Sequence, residues 1–240
     1  MKTIGLLGGM SWESTALYYK IINETVRDRL GGLNSARLVL YSVNFAEVEI
    51  LQHEGRWREA GSLLIECGRA LERAGADFIV LCTNTMHLVA DQLIEGLERP
   101  LLHIADPTGQ AVRNAGVSTV GLLGTRFTME QDFYAGRLKR GHGLEVIVPD
   151  DEERAVVHKI IYDELCLGKV TEDSRQAYAD IVSGMVDRGA QAVILGCTEI
   201  GLLLRPEDVA VPIFDTTILH AAASVDAALA ADDPQAQISG

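Results

Sequence analysis

Residues 3–8 spell TIGLLG, and a near copy, TVGLLG, follows at residues 119–124. A second pair behaves in the same way, because AGADFIVL at residues 74–81 is matched by RGAQAVIL at residues 188–195. The two pairs are offset by 116 and 114 residues and occur in the same order. We therefore predict that the chain is built from two similar halves.

Short aliphatic or β-branched runs alternate with segments of helical periodicity along the chain. Strands that are apolar on both faces and separated by helices are typical of parallel βαβ units. The predicted fold class is α/β, with two pseudo-symmetric doubly wound parallel-sheet domains and the site in the cleft between them. The predicted strands are Thr3–Leu7, Arg37–Tyr41, Phe78–Leu81, Leu101–Ile104, Thr119–Leu123, Leu144–Val148, Ala192–Leu195 and Val211–Phe214. The predicted helices include Ser14–Leu30, Arg58–Ala74, Met86–Leu97, Ala155–Leu167 and Ser174–Arg188.

The repeat also predicts where the halves begin and end. We assign residues 1–105 to the first half and residues 106–215 to the second, with the join near Asp106-Pro107. The C-terminal helix, residues 216–240, is a candidate to pack back on the first half. Since no low-complexity segment separates the halves, we expect a fixed cleft between them.

Composition and charge exclude several classes of protein. The 240 residues are 48% hydrophobic and 23% charged, which is ordinary globular usage. The net charge of −13 argues against nucleic-acid and anionic-membrane partners, because both require a positive surface. No apolar run reaches the roughly 18 residues of a membrane span, and the apolar N-terminal segment is too short for a signal peptide. We predict a cytoplasmic protein with no nucleic acid and no membrane as partner.

The cysteines do not predict a disulfide framework in a chain of this length without a secretion signal. They are Cys67, Cys82, Cys166 and Cys197. Cys67 and Cys166 lie in apolar, helix-like segments, where a buried structural thiol is the expected role. A zinc site formed by Cys82, His87, Cys197 and His220 is the metal alternative, but no CxxC, HxxH or HExxH spacing supports it.

Ligands of open parallel sheets bind beyond the carboxyl ends of the strands. Cys197 follows one predicted strand, and the offset of 114 places Thr83 at the matching position of the first half. Cys82 aligns with Gly196, where the strand is still running, so its side chain should face away from the cleft. We expect a helix N-terminus to lower the pKa of Cys197, making it a general base on carbon or a nucleophile. The alternative is a buried cysteine without thiol chemistry.

Other motifs are weaker. The opening glycines lack GxGxxG spacing, and neither GxxxxGK[ST] nor GxSxG occurs. The turns at Gly8-Gly9 and at Thr83–Thr85 offer N–H and hydroxyl groups suited to a small carboxylate. His87 either faces the site or is a satisfied helix histidine. Glu199 either orients Cys197 or a substrate ammonium, or is an ordinary first-turn carboxylate.

Five segments are similar to one family over nearly the whole chain. They are GLLGGMSWEST (5–15), VLCTNTMH (80–87), LLGTRFTMEQDFY (122–134), ILGCTEIGLLL (194–204) and PIFDTTILHA (212–221). The chain resembles the aspartate/glutamate racemases, which invert amino acids without a cofactor. The resemblance implies two α/β domains, a homodimer, no cofactor and no metal. It also implies two catalytic cysteines, one per domain, that face each other across the substrate α-carbon.

Carried over to this sequence, the resemblance implies Cys197 as one catalytic residue. Thr83 stands where the other cysteine normally precedes Asn-Thr-x-His. Gln52 is expected to reach the substrate from the loop after the second strand. Cys166 stands where several relatives have a lysine for the substrate side chain, and Lys169 lies beyond it. The implied substrate-binding residues are Met10, Gln52, Asn84, Thr85, Thr125, Thr198 and Glu199.

The predicted function is cofactor-independent racemisation of L-aspartate or L-glutamate by thiol-mediated removal of the α-proton and reprotonation on the opposite face. A threonine hydroxyl is too weakly acidic to match a thiol, so we expect asymmetric catalysis in which Cys197 acts on the L-enantiomer. The alternatives are a broad-specificity racemase of non-acidic amino acids and a non-catalytic amino-acid-binding module. The same two-domain cysteine scaffold also resembles three other kinds of enzyme, which are rival functions. They are hydantoin racemases, decarboxylases of substituted malonates and maleate isomerases.

Overall fold

The computed structural model describes residues 1–230, within which eight strands and eleven α-helices form. The strands are β1 (Ile4–Gly8), β2 (Leu38–Ser42), β3 (Phe78–Leu81), β4 (Leu101–Leu102), β5 (Thr119–Gly124), β6 (Glu145–Ile147), β7 (Ala192–Gly196) and β8 (Ile213–Asp215). The helices are α1 (Trp12–Leu30), α2 (Phe45–His53), α3 (Trp57–Arg73), α4 (Ala90–Gly96), α5 (Ala105–Asn114), α6 (Arg126–Glu130), α7 (Asp132–His142), α8 (Asp151–Asp163), α9 (Glu172–Asp187), α10 (Ile200–Leu203) and α11 (Thr216–Leu229). Short 3-10 helices cover Thr85–Val89, Leu165–Leu167 and Pro206–Asp208. In the part of the chain described, no helix has the length and apolar character needed to cross a membrane.

The strands form two parallel sheets with the same strand order. The first sheet runs β2-β1-β3-β4 and the second runs β6-β5-β7-β8. The repeated TIGLLG and TVGLLG segments are the inner strands β1 and β5, and each pairs in parallel with the strand that precedes a candidate catalytic turn. The predicted α/β class with two similar parallel-sheet halves is confirmed.

The chain divides into two compact units. One contains Met1–His103 together with the chain from His220, and the other contains Ile104–Leu219. Asp106 and Pro107 lie inside the first turn of α5 rather than between elements. Proline is tolerated there because first-turn N–H groups have no intrahelical acceptor. Of the predicted terminal helix, residues 231–240 lie outside the described residues.

In the first unit, alternate strand residues serve two apolar clusters on the two faces of the sheet. Leu7, Ile79 and Leu81 are buried with residues of α3 and α4 on one face. Ile4, Leu6, Phe78 and Val80 are buried with Tyr18 and Ile22 of α1 and Val225 of α11 on the other. Burying an aliphatic side chain of this size contributes about 1.5–3 kcal/mol. Helices on both faces therefore explain why the strands are apolar throughout.

The second unit follows the same plan. Leu123, Val193 and Leu195 pack with α8 and α9 on one face of the sheet. Val120, Leu122 and Ile194 pack with α5 and α7 on the other. The carboxyl ends of the central strands emerge between these two layers in each unit.

Two predicted helices differ from the observed ones at their ends. The predicted helix Met86–Leu97 is a 3-10 helix, Thr85–Val89, followed by α4. The predicted helix Ala155–Leu167 begins four residues earlier as α8, because Asp150 and Glu153 form a reciprocal capping box. It ends at Asp163, and Cys166 lies in the separate 3-10 helix Leu165–Leu167.

Candidate active site

The turn after β7 joins a thiol to a carboxylate. Cys197 Sγ donates a hydrogen bond to Glu199 Oε2 at 2.9 Å. Thr198 Oγ1 donates to the same oxygen at 2.8 Å. Thr198 and Glu199 are buried, whereas Cys197 is half-buried. One carboxylate oxygen therefore accepts hydrogen bonds from both neighbouring side chains.

The pKa of Cys197 is raised well above its usual range, so the predicted lowering was wrong. Burial is the largest cause, followed by the charge of Glu199 and the hydrogen bond to it. The helix that follows, α10, spans only Ile200–Leu203 and offers little dipole against a carboxylate 2.9 Å away. The resting state is a protonated thiol with its proton acceptor already in contact.

The end of β8 lies against the same turn. Thr216 Oγ1 donates to the carbonyl of Leu195 at 2.8 Å, two residues before Cys197. Asp215 accepts the backbone N–H of Thr217 at 2.8 Å and so caps the first turn of α11. A Cβ on Gly201 would lie 2.5 Å from Asp215 Oδ2, so a side chain at this position would have to displace the Asp215 carboxylate. Together these contacts hold the carboxyl end of β7 next to the end of β8.

In the first unit the corresponding turn follows β3. Thr83 is half-buried, while Asn84 and Thr85 are buried. Cys82 is buried in the apolar cluster that contains Tyr18, and its thiol lies 3.6 Å from the carbonyl of Val80. Burial raises the pKa of Cys82. Of the two adjacent residues, Thr83 is the more accessible.

The turn after β1 differs from the expected anion site. Gly9 has φ of +92°, and its N–H donates to Thr15 Oγ1 at 2.9 Å. Thr15 already uses this N–H, so the carboxylate site predicted at the Gly8-Gly9 turn cannot include it. Met10 next to it is buried in the apolar cluster of α3.

Gln52 lies in α2, so its predicted position in a loop was wrong. The side chain is buried, and Nε2 donates to Met86 Sδ at 3.0 Å. Among the described residues, Oε1 has no hydrogen-bond partner. A buried carbonyl without a partner costs about 1–3 kcal/mol. The contact nevertheless places Gln52 beside the 3-10 helix that begins at Thr85.

Thr125 lies at the carboxyl end of β5, where it is the N-cap of α6. Its hydroxyl accepts the N–H of Thr128 at 3.4 Å and lies 3.3 Å from the Thr128 hydroxyl. Both threonines are buried. Thr125 therefore stabilises the helix start in addition to its expected place near the substrate.

A family model described as Asp/Glu/Hydantoin racemase matches residues 7–224. The chain belongs to this family. The match covers strands β2 to β8 and both candidate turns, and the resemblance drawn from the sequence is confirmed.

Three relatives of this racemase family member illustrate the similarity. The chain is 53% identical to a Yersinia pestis protein described as a candidate Asp/Glu racemase, with a TM-score of 0.90 over 95% of this chain and 100% of that one. It is 37% identical to an aspartate racemase homologue from Pyrococcus horikoshii, with a TM-score of 0.82 over 95% and 99%. It is 26% identical to the broad specificity amino-acid racemase RacX of Bacillus subtilis over 95% of this chain and 98% of that one.

The predicted site residues of this family member divide between the two units. Met10, Gln52 and the Thr83–Thr85 turn belong to the first unit, and Thr125 and the Cys197–Glu199 turn belong to the second. Within residues 1–230, no group of three or more His, Cys, Asp or Glu side chains forms a candidate metal site. The zinc alternative therefore gains no support from the described residues.

Sequence reasoning missed several groups around these turns. Asp215 and Thr216 were not singled out, although the FDTT segment after a predicted strand carried the capping signal. Cys166 was expected to be a buried structural thiol, but it is half-buried and packs on the same apolar cluster as Cys197. His87 donates from Nδ1 to the carbonyl of Thr83 at 2.7 Å, a contact that no spacing rule predicts.

Proposed function

We propose that this family member is a cofactor-independent amino-acid racemase whose preferred substrates are aspartate and glutamate. The observation that carries the proposal is the 2.9 Å hydrogen bond from the half-buried Cys197 thiol to the buried Glu199 carboxylate. It gives the thiol its own proton acceptor, which a general base on carbon requires. Membership of the racemase family and the internal repeat that pairs Cys197 with Thr83 support the same conclusion.

In the proposed reaction, Glu199 accepts the thiol proton and the Cys197 thiolate removes the α-proton of the L-enantiomer. The electron pair of the broken C–H bond stays on the α-carbon and spreads into the substrate carboxylate. Asn84, Thr85 and Thr198 supply hydrogen bonds to the developing charge. The Thr83 hydroxyl, or a water molecule that it holds, donates a proton to the opposite face and is reprotonated from solvent. The Cys197 sulfur keeps the α-proton, and Glu199 releases the former thiol proton to solvent, which restores the resting state.

The difference between Cys197 and Thr83 should appear in exchange rather than in net turnover. Enantiomers have equal free energies, so the equilibrium constant is one and a racemase must have the same kcat/KM in both directions. Exchange of the α-proton is not bound by this equality. We expect the L-enantiomer to exchange its α-proton with solvent faster than it inverts, because Cys197 is the better base.

The decisive experiment follows α-deuterium incorporation by NMR in heavy water across a panel of L- and D-amino acids. Incorporation into L-aspartate or L-glutamate that Cys197→Ala abolishes would support the proposal. Absence of exchange with every amino acid in the panel, despite a thermal shift on ligand addition, would identify an amino-acid-binding module. Equal exchange from both enantiomers would contradict the proposed asymmetry.

A broad-specificity racemase is the second candidate, favoured by the similarity to the RacX protein along 95% of this chain. In the same panel, faster exchange from basic or apolar amino acids than from aspartate and glutamate would establish it. The two candidates share the Cys197 chemistry and differ only in the groups that contact the substrate side chain.

A further inference from the structure

The carbonyl group of Thr83 is held by a side chain and not by the helix that follows it. In an α-helix this carbonyl would accept the backbone N–H four residues later, which is that of His87. Thr85–Val89 is a 3-10 helix instead, and the His87 N–H donates to the carbonyl of Asn84 at 3.0 Å. His87 Nδ1 takes its place at 2.7 Å from the Thr83 oxygen. Because a carbonyl oxygen only accepts, Nδ1 carries the proton in this bond.

The His87 ring lies among two other buried histidines. Its centroid is 4.5 Å from that of His103 and 6.0 Å from that of His220. The two nitrogens of His220 are held by the carbonyl of Leu102 and the hydroxyl of Tyr18, each at 2.9 Å. The three histidines and Tyr18 are each at most 3% exposed. His87 therefore cannot turn away without disturbing a packed polar cluster.

We propose that His87 is a positioning residue for the proton transfer at Thr83, acting through the hydrogen bond to the Thr83 carbonyl. This inference rests on the proposed function. The backbone of Thr83 is held on both sides, because its N–H also donates to the carbonyl of Leu81 at 2.9 Å. The hydroxyl to which the proposed function assigns the proton transfer is thereby carried on a fixed backbone. A displacement of about 1 Å at a reacting group costs up to about 100-fold in rate.

The second unit has no equivalent of this contact. The offset of 114 places Gly201 at the position of His87, and Glu199 at that of Thr85. The carbonyl of Cys197 accepts a backbone N–H, from Ile200 at 3.2 Å. Loss of His87 should therefore impair one face of the reaction and spare the other.

The test compares inversion with exchange for L-aspartate in heavy water. Exchange without inversion reports Cys197, whereas inversion also requires Thr83. In His87→Leu, we expect inversion to fall by at least about tenfold, while exchange stays within about threefold of the unchanged protein. In His87→Asn, the side-chain N–H lies close to the position of Nδ1 and keeps the donor, so inversion should stay within about threefold.

The control is Tyr18→Phe, which removes the hydroxyl beside His220 and leaves the His87–Thr83 bond intact. It should lower the melting temperature without changing the ratio of inversion to exchange. Where His87→Leu does not fold, His87→Gln takes its place, since its N–H mimics the other ring nitrogen.

Three results would overturn the inference. Inversion in His87→Leu at the unchanged rate would show that the carbonyl contact has no role. Loss of inversion in His87→Asn would make the imidazole an acid–base group. An equal fall of the ratio in Tyr18→Phe would show that it follows stability alone. If the folded, unsubstituted protein catalyses neither α-proton exchange nor inversion of any amino acid, the proposed function is refuted, and this inference with it.

Discussion

The side chain of Glu199 decides the chemistry available to Cys197. Its oxygen accepts from the Cys197 thiol at 2.9 Å and from the Thr198 hydroxyl at 2.8 Å. Burial disfavours a negative charge on the Cys197 sulfur, and the nearby carboxylate adds to this effect, so the pKa of the thiol rises. The thiol is therefore protonated at rest, and in the proposed reaction it gains basicity when its proton moves to Glu199.

Glu199→Gln should separate thiol reactivity from catalysis. The neutral amide removes the charge that raises the Cys197 pKa, so iodoacetamide should label the thiol faster at neutral pH. The same change removes the proton acceptor, so α-proton exchange from L-aspartate should fall by about 100-fold or more. Exchange requires the thiolate, and the pKa of Cys197 is lower in this variant. The pH at which the residual exchange rate rises should therefore be lower than in the unsubstituted protein.

Glu164→Gln is the matched control for this prediction. Glu164 lies in the same unit, where it accepts from Ser174 Oγ at 2.6 Å and contacts no part of the Cys197 turn by hydrogen bond within residues 1–230. In Glu164→Gln, the rate of Cys197 labelling and the rate of α-proton exchange should both equal those of the unsubstituted protein. Unaltered exchange in Glu199→Gln would show that Glu199 only orients the thiol.

Thr83→Cys should make the two faces of the reaction alike. A second thiol at this position supplies an effective base for the D-enantiomer, so α-proton exchange from D-aspartate should approach that from L-aspartate. The measurement is deuterium incorporation into each enantiomer at early times. Cys82→Ala should leave both rates unchanged, because Cys82 is buried in an apolar cluster. Persistent asymmetry in Thr83→Cys would place the limiting proton transfer elsewhere.

At single positions, the sequence predicted which residues lie at equivalent strand ends better than it predicted the surroundings of their side chains. The repeat alone paired Thr83 with Cys197, because strand ends align when two halves share one fold. The pKa of Cys197 was predicted in the wrong direction, because the rotamer that brings Glu199 onto the thiol is a tertiary feature. Gln52 was placed in a loop because the nine residues of α2 are too short to show a clear period.

Among the elements, the ends of strand β1 and helix α1 depend on glycines for different reasons. Gly9 combines φ of +92° with a Cβ position only 2.3 Å from the carbonyl oxygen of Val43. Gly31, after α1, has φ of +73° and nothing within 4 Å of that position. The first glycine is required by conformation and by space, the second by conformation alone.

Gly9→Ala and Gly31→Ala form a matched pair. Gly31→Ala should destabilise the protein by about 1–3 kcal/mol, because φ of +73° with ψ of 175° is an extended positive-φ conformation that side chains disfavour. Gly9→Ala must also move the backbone of Val43, so we expect about 3 kcal/mol or more. Urea unfolding measures both free energies. Equal losses would show that the turn after β1 relaxes freely.

Helix ends were the least predictable elements. The helical periodicity of Met86–Leu97 predicts one helix, yet the chain forms a 3-10 helix first. The His87 side chain there donates a hydrogen bond to the Thr83 carbonyl. Hydrophobic period does not distinguish these two helices over five residues. The α8 start at Asp151 was missed although Asp150 and Glu153 have the spacing of a capping box.

For the whole molecule, two sheets with one strand order explain why a repeat of a few residues predicted the architecture. Each repeated segment is a central strand, where both faces are buried and substitutions are most restricted. The domain order and class followed from that pattern. How many copies of the chain associate lies beyond it, because a surface carries no comparable periodicity.

We propose that the protein is a homodimer, as its family resemblance implies. Light scattering coupled to size-exclusion chromatography should then give twice the chain mass of 26.0 kDa. The mass should persist on dilution to the concentrations of the exchange assay. A mass of one chain with full exchange activity would show that the fold acts alone.

The last helix has a consequence for how the protein is made. Ala221, Val225 and Ala228 complete the core around Ile4 and Leu6, near the start of the chain. Residues 104–215, which contain β5 to β8, are synthesised before that helix, whereas one face of the N-terminal sheet is completed only when the helix is present. On the nascent chain, α1 alone should therefore cover this face of the N-terminal sheet until α11 leaves the ribosome.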